Sequence, residues 1–124
     1  MQNLLLVMLG GAIGSAGRYG VGRLTLAQFG PGYPWGTLIV NLSGGLLMGV
    51  LAGILARISD GGEAWRVLIG IGLLGGFTTF SAFSLDAALM IERGQIASAA
   101  FYALVSVIGS VLALFIGLAL VRVA

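Results

Sequence analysis

From Leu24 to Ala56 no side chain carries a charge, and the same is true of Met1–Gly17, Val67–Leu85 and Gly94–Val121. Runs of this kind constrain the chain more than any motif in it. A bilayer core about 30 Å thick is crossed by about 20 apolar residues in a helix, whereas a helix on a soluble domain turns a polar face to water. The run from Leu24 to Ala56 is too long for one crossing. It is interrupted by Gly30-Pro31-Gly32-Tyr33-Pro34, which holds both prolines of the chain, and proline lacks the N–H that a helix interior needs. The sequence therefore predicts four spans, at about 3–27, 35–56, 65–90 and 96–121, joined by short loops. Together they make residues 1–124 a single four-helix transmembrane domain, an all-α membrane protein.

Composition narrows the function. The chain has neither cysteine nor histidine, which removes thiolate nucleophiles, disulfides, zinc clusters and histidine bases. No nucleophile–base pair can be assembled, so no enzyme is expected. The net charge of +2 comes from six arginines against four acids, scattered rather than gathered in a basic patch, so nucleic acid is not an expected partner. Leu4–Leu9 followed by Gly14-Ser15-Ala16 has the outline of a signal peptide. Met1-Gln2-Asn3 lacks the positive charge with which such a leader opens, and the first span is expected to remain.

The arginines are also balanced. Four spans place Arg57, Arg66 and Arg122 on one side, and Arg23, Arg93 and the end-of-helix Arg18 on the other. The positive-inside rule has almost no bias to act on. Two readings stay open: a weak bias or a partner sets one orientation, or the chain inserts both ways and pairs with an inverted copy of itself.

Small residues mark the close contacts. Gly45, Gly49 and Gly53 repeat every four residues in the second span and continue the face that carries Thr37 and Asn41; Gly10, Gly14, Arg18 and Gly22 do the same in the first. Such rows let helix backbones approach, and ordinary packing accounts for most of the glycines. The polar member of each row needs more. An unsatisfied amide in hydrocarbon costs several kcal/mol, so Asn41 must face protein or water, either as a bridge between helices or as a contact to a ligand. In the fourth span Ser98, Tyr102, Ser106 and Ser110 form a hydroxyl stripe fit to line a wet track.

The third span is the most informative. Gly75-Gly76-Phe77-Thr78-Thr79 sets adjacent glycines and adjacent threonines in mid-membrane, all poor helix formers, and predicts a broken helix near 75–79. Broken backbone at that depth survives only where it is buried or lines a cavity, and its freed groups can hold ions. Phe80 and Phe83 follow on one face, interleaved with Thr79, Ser81 and Ser84. Asp86 is the only carboxylate near a helix interior. The remaining pore candidates are donors, which suit an anion, and phenyl edges carry the positive part of the ring quadrupole.

The run Gly75-Gly76-Phe77-Thr78-Thr79-Phe80-Ser81-Ala82-Phe83-Ser84 resembles the signature of the CrcB/Fluc family of fluoride channels. Gly36-Thr37-Leu38-Ile39-Val40-Asn41-Leu42-Ser43-Gly44 resembles that family's second-helix motif, and Gly10-Gly11-Ala12-Ile13-Gly14 through Arg18-Tyr19 its first. The resemblance runs through nearly the whole chain in order. It implies a multi-pass protein of the prokaryotic cell (inner) membrane, a dual-topology homodimer of inverted copies that exports fluoride passively through two pores at the dimer interface. It implies pore roles for Phe80, Phe83 and Asn41, with Thr37, Thr79, Ser81 and Ser84 beside them and a polar track over Tyr102, Ser106 and Ser110. It further implies a vestibule arginine at Arg18 and a structural sodium ion at the dimer centre, held by the backbone carbonyls of Gly75 and Thr78. Ala82 stands where the family commonly has threonine, and Asp86 where it commonly has glutamate; both reduce local polar reach without removing a main pore group. Lipid and a second copy are the partners implied, with no protein substrate.

Two other readings compete. A small dual-topology multidrug-type transporter couples export to protons through a membrane-embedded carboxylate, and the first, second and fourth spans have none. A non-conducting accessory subunit would use the polar residues only as glue. The balance of arginines predicts that a single cysteine, placed in the loop between the second and third spans of this cysteine-free chain, is labelled from both faces of the membrane. Labelling from one face alone would contradict insertion in both orientations.

Overall fold

The computed structural model describes residues 1–124 and is entirely helical, with four helical stretches long and apolar enough to cross a membrane. Helix α1 covers Gln2–Phe29 and α2 covers Trp35–Leu55. The third span comes in two pieces, α3 over residues 62–77 and α4 over Ser81–Glu92. Helix α5 covers Ile96–Val123. Glycines with positive φ close the ends of α1 and α4: Gly30 at 76° and Gly94 at 80°, backbone that a residue without Cβ adopts freely.

The interruption of the third span falls at the far edge of the predicted window. Gly75-Gly76-Phe77 is still helical, and the chain first leaves the helix at Thr78, with ψ at 160°. Poor helix formers alone do not place the break, because Gly76 has a packing duty: a Cβ there would stand 2.7 Å from the Gly11 carbonyl oxygen of α1. A second irregularity precedes it. Residues Arg66–Leu74 are wound as a π-helix, a rare form that appears mostly as a local bulge, frequently at functional sites.

Two glycine-lined seams hold the bundle. Along the first, Gly10 and Gly14 of α1 lie so close to α3 that a Cβ would overlap the Leu68 and Leu73 carbonyls, and a Cβ on Gly72 would stand 3.1 Å from the Gly10 Cα. Along the second, Gly45 and Gly49 of α2 meet the Ser110 and Leu114 carbonyls of α5, while Gly117 of α5 meets the backbone of α2. The Gly45, Gly49, Gly53 stripe is therefore a contact within the chain. Close backbone approach of this kind replaces hydrophobic driving force, which is absent between helices in lipid.

A small core joins α2, α4 and α5 through Leu38, Met90, Ala99 and Tyr102. Only 18 of the 124 residues are buried; most large apolar side chains, such as Phe101, Leu112 and Phe115, point outward, as they do toward lipid. At the end of the bundle opposite the 30–34 loop, the Arg57 guanidinium donates to the Val121 carbonyl in the last turn of α5, which also accepts the Ala124 N–H. Arg66 pairs with Glu63 at 2.8 Å on the same exposed end.

Candidate functional site: a cavity at the interrupted helix

At Thr78 the backbone turns extended, and the Thr79 N–H loses the carbonyl four residues back that a continuous helix would supply. Asn41 of α2 replaces it. The side-chain oxygen of Asn41 accepts from the Thr79 N–H at 2.8 Å, and its amide nitrogen donates to the Thr79 carbonyl at 2.9 Å. One primary amide thus satisfies both backbone groups of a single residue. A buried peptide left without partners costs about 1–3 kcal/mol per group, which is why the break needs an amide opposite it. The Thr79 hydroxyl accepts from the Ala82 N–H at 3.1 Å and caps the first turn of α4 as Ser or Thr caps ordinarily do. Thr78 donates its hydroxyl to the Leu74 carbonyl at 2.9 Å and sets its methyl against Gly44.

Arg18 secures the other flank. Its Nε donates to the Gly76 carbonyl at 3.1 Å, one of the carbonyls freed because the helix stops two residues later. The Gly10, Gly14, Arg18, Gly22 row is accordingly one working face: two glycines seat α3, Arg18 reaches the end of α3, and Gly22 lies 3.1 Å from where a Cβ of Gly36 would stand. Arg18 also lines a cleft of about 300 Å³ together with Arg23, Thr37, Thr79 and Ala82.

Beside the break lies a cavity of about 540 Å³ whose wall includes Asn41, Thr79, Phe80, Phe83, Ser106 and Ser110, and which no charged side chain lines. Ser106 is among the lining residues; it is 6% exposed, and its buried hydroxyl has no hydrogen-bond partner. Ser110 contacts the Asn41 carbonyl at a long 3.4 Å. Phe80 is 76% exposed on the single chain, with its ring centre 5.5 Å from that of Phe83, which in turn lies 5.2 Å from Tyr102.

The remaining expected site residues are distributed differently. Tyr102 is completely buried and donates to the Asp86 carboxylate at 3.1 Å, with Thr37 beside the same phenol oxygen. Ser81 and Ser84 do not line the cavity; both are exposed, and the Ser84 hydroxyl donates back to the Phe80 carbonyl at 3.0 Å, the usual fate of a serine in a membrane helix. Ser98 is exposed while its neighbour Ala99 is buried, so the hydroxyl stripe of α5 is interior only from Tyr102 onward. The carbonyls of Gly75 and Thr78 flank the break, where the Thr79 N–H has been taken by Asn41. No group of three or more acidic, histidine or cysteine side chains gathers anywhere.

Two partners of the site, Asp86 and Tyr33, carry no periodic signal in the sequence. Asp86 and Tyr102 stand equally far on either side of the Gly94 turn, and an antiparallel helical hairpin brings such positions face to face; that symmetry was the available clue. Tyr33 comes from the proline-bounded loop and packs edge-on against Tyr102 at 5.7 Å. Burial raises its phenol above the ordinary value, so it stays a neutral hydroxyl.

Comparison with known proteins fits this geometry. The family model described as "CrcB-like protein, Camphor Resistance (CrcB)" matches residues 5–118. The chain belongs to the CrcB-like family. Among CrcB-like relatives, a protein of Sphingopyxis alaskensis named fluoride-specific ion channel FluC is 52% identical over 98% of this chain and 97% of its own. Proteins of the same name from Novosphingobium aromaticivorans and Phenylobacterium zucineum are 55% and 56% identical, over 94% and 98% of this chain and 93% and 97% of theirs. This CrcB-like chain is a multi-pass membrane protein with bacterial relatives.

The amide clamp is testable apart from transport. Asn41→Asp keeps an acceptor for the Thr79 N–H but removes the donor to its carbonyl and buries a charge. Purified Asn41→Asp should unfold at lower temperature than the parent, by an amount equivalent to about 1–3 kcal/mol. An unchanged midpoint at neutral pH would show that the clamp contributes nothing.

Proposed function

We propose that this CrcB-like protein is a fluoride-specific ion channel that carries fluoride passively across the cell membrane. One observation carries the reading: the cavity at the broken helix offers neutral donors and phenyl rings, and no charged side chain lines it. Fluoride holds its water tightly, so a pore must replace that water with several close donors, yet a fixed cation would bind the ion too well to release it. The Ser106 hydroxyl and the Asn41 N–H not used on Thr79 supply such donors. Phe80 and Phe83 present ring edges whose positive rim faces an anion. The N-terminus of α4 points its positive dipole end at the same region. Nothing here traps the ion.

The functional unit of this proposal is a pair of inverted copies with two pores. The exposure of Phe80 supports it, since a ring that is 76% open on one chain becomes part of a pore wall only against another surface. The near-equal arginine count of the two sides allows the inverted insertion such a pair requires. At the centre of the pair we place a structural sodium ion on the carbonyls of Gly75 and Thr78. The donor set suits it, because unwound carbonyls coordinate sodium in other membrane proteins, and the ion would offset oxygen dipoles gathered at the break. Arg18 stands at the vestibule, and Thr37 with Tyr102 continues the polar path beyond Phe83.

A proton-coupled multidrug-type transporter is the weaker reading, because the one carboxylate near a span interior, Asp86, is already engaged by Tyr102. A non-conducting accessory subunit leaves the unpartnered Ser106 hydroxyl without a purpose. Phe80→Ile and Phe83→Ile, reconstituted in liposomes, should each cut fluoride efflux at least about tenfold, or about 1.4 kcal/mol in barrier height, while still assembling as dimers. Parent-like efflux from both variants would reject the aromatic role.

A further inference from the structure

The wall of the cavity at the break does not end at Phe83. The ring series continues through Tyr102 to Tyr33 at 5.7 Å and on to Trp35 at 4.9 Å, reaching the surface at the 30–34 loop. Beyond Tyr102 opens a second cleft of about 310 Å³, lined by Tyr33, Thr37, Asp86, Met90 and Arg93 among others. Thr37 and Asp86 are the two polar neighbours of the Tyr102 phenol, so this phenol stands between the inner cavity and the outer cleft and is in contact with polar groups of the latter.

Two charged side chains line the outer cleft, and they are not equivalent. Asp86 is half-buried and accepts the Tyr102 hydroxyl. A carboxylate alone at this point would repel an approaching anion. Arg93 ends α4, is exposed, and makes neither a side-chain hydrogen bond nor an ion pair. The only acid next to it in the chain is the exposed Glu92, which does not line the cleft. Arg18 and Arg23 open onto the neighbouring cleft, which shares Gly22, Leu26, Gly36 and Thr37 with this one.

We propose that the cleft between Tyr33, Thr37, Asp86 and Arg93 is the outer mouth of the conduction path, and that Arg93 gathers fluoride there. This rests on the fluoride-channel reading above. The physical logic separates two tasks. Dehydration takes place among neutral donors inside, so selectivity belongs to Phe80, Phe83 and Ser106. Arrival is an electrostatic matter at the surface, where a cation not tied up in an ion pair, over a low-dielectric wall, raises the local anion concentration. An arginine at the C-cap of a helix also interacts favourably with the negative end of the helix dipole; that stabilising effect is separable because it would alter folding rather than the salt dependence of flux.

The test is liposome fluoride efflux by the full-length protein and by Arg93→Gln, Arg93→Glu and Arg93→Lys, at low and high ionic strength set with impermeant potassium glutamate. The Debye length falls from about 30 Å at 0.01 M to about 3 Å at 1 M. At low ionic strength Arg93→Gln should pass fluoride about threefold more slowly than the parent and Arg93→Glu more slowly still. Arg93→Lys should match the parent, all four should converge at high ionic strength, and chloride should remain excluded throughout. Equal flux of parent and Arg93→Gln at low ionic strength overturns the proposal, as does a deficit that persists at high ionic strength. A parent protein that passes no fluoride would instead remove the channel reading beneath it.

Discussion

Everything at the centre of this protein depends on one unpaired peptide. Once the third span leaves the helix at Thr78, the N–H and carbonyl of Thr79 sit at membrane depth with no partner in their own segment. Lipid offers none, and each orphaned group would be costly. A single amide from α2 meets both needs, with bonds of 2.8 and 2.9 Å. The break therefore binds α2 to the third span at one register, and that register determines which side chains face the cavity. Arg18 completes the arrangement from α1 by holding the Gly76 carbonyl.

The glycine seams serve the same end. In lipid there is little hydrophobic force to bring helices together, so contact area and close backbone approach must supply the attraction. Gly14 against Leu73 and Gly49 against Leu114 are approaches that even one methyl group would block. They fix α1 to α3 and α2 to α5 as two tight pairs. The cavity lies where the break separates α3 from α4, between those pairs. Its walls are made by residues that packing has left over: phenyl rings, a serine hydroxyl and the faces of glycines. Neutral groups of that kind are what an anion path needs if the ion is to leave again.

Much of this was legible in the sequence, for identifiable reasons. Uncharged runs bounded by arginines and by a two-proline loop locate the spans because the bilayer imposes a length. The Asn41 amide had to be satisfied, and of the two roles its position left open the structure shows the helix bridge, with two bonds to Thr79. The π-helix over Arg66–Leu74 carried no local signal, since its winding accompanies a contact with α1 that no window of sequence contains. The break begins at Thr78, within the 75–79 window but toward its end, because Gly76 packs against Gly11 of α1 while still helical. Ser81 and Ser84 shared spacing with the pore residues, but spacing does not say which way a helix faces once it restarts after a break. Tyr33 was invisible to periodicity because it lies in a loop.

On the proposed function, the neutral cavity beside Phe80, Phe83 and Ser106 lets fluoride through and keeps other anions out. The most direct measurement is anion efflux from liposomes holding the unmodified protein, loaded with fluoride or with chloride and compared with protein-free vesicles. A fluoride channel predicts rapid release of fluoride with chloride retained. Fluoride release no faster than from bare lipid, or equal release of chloride, would contradict it.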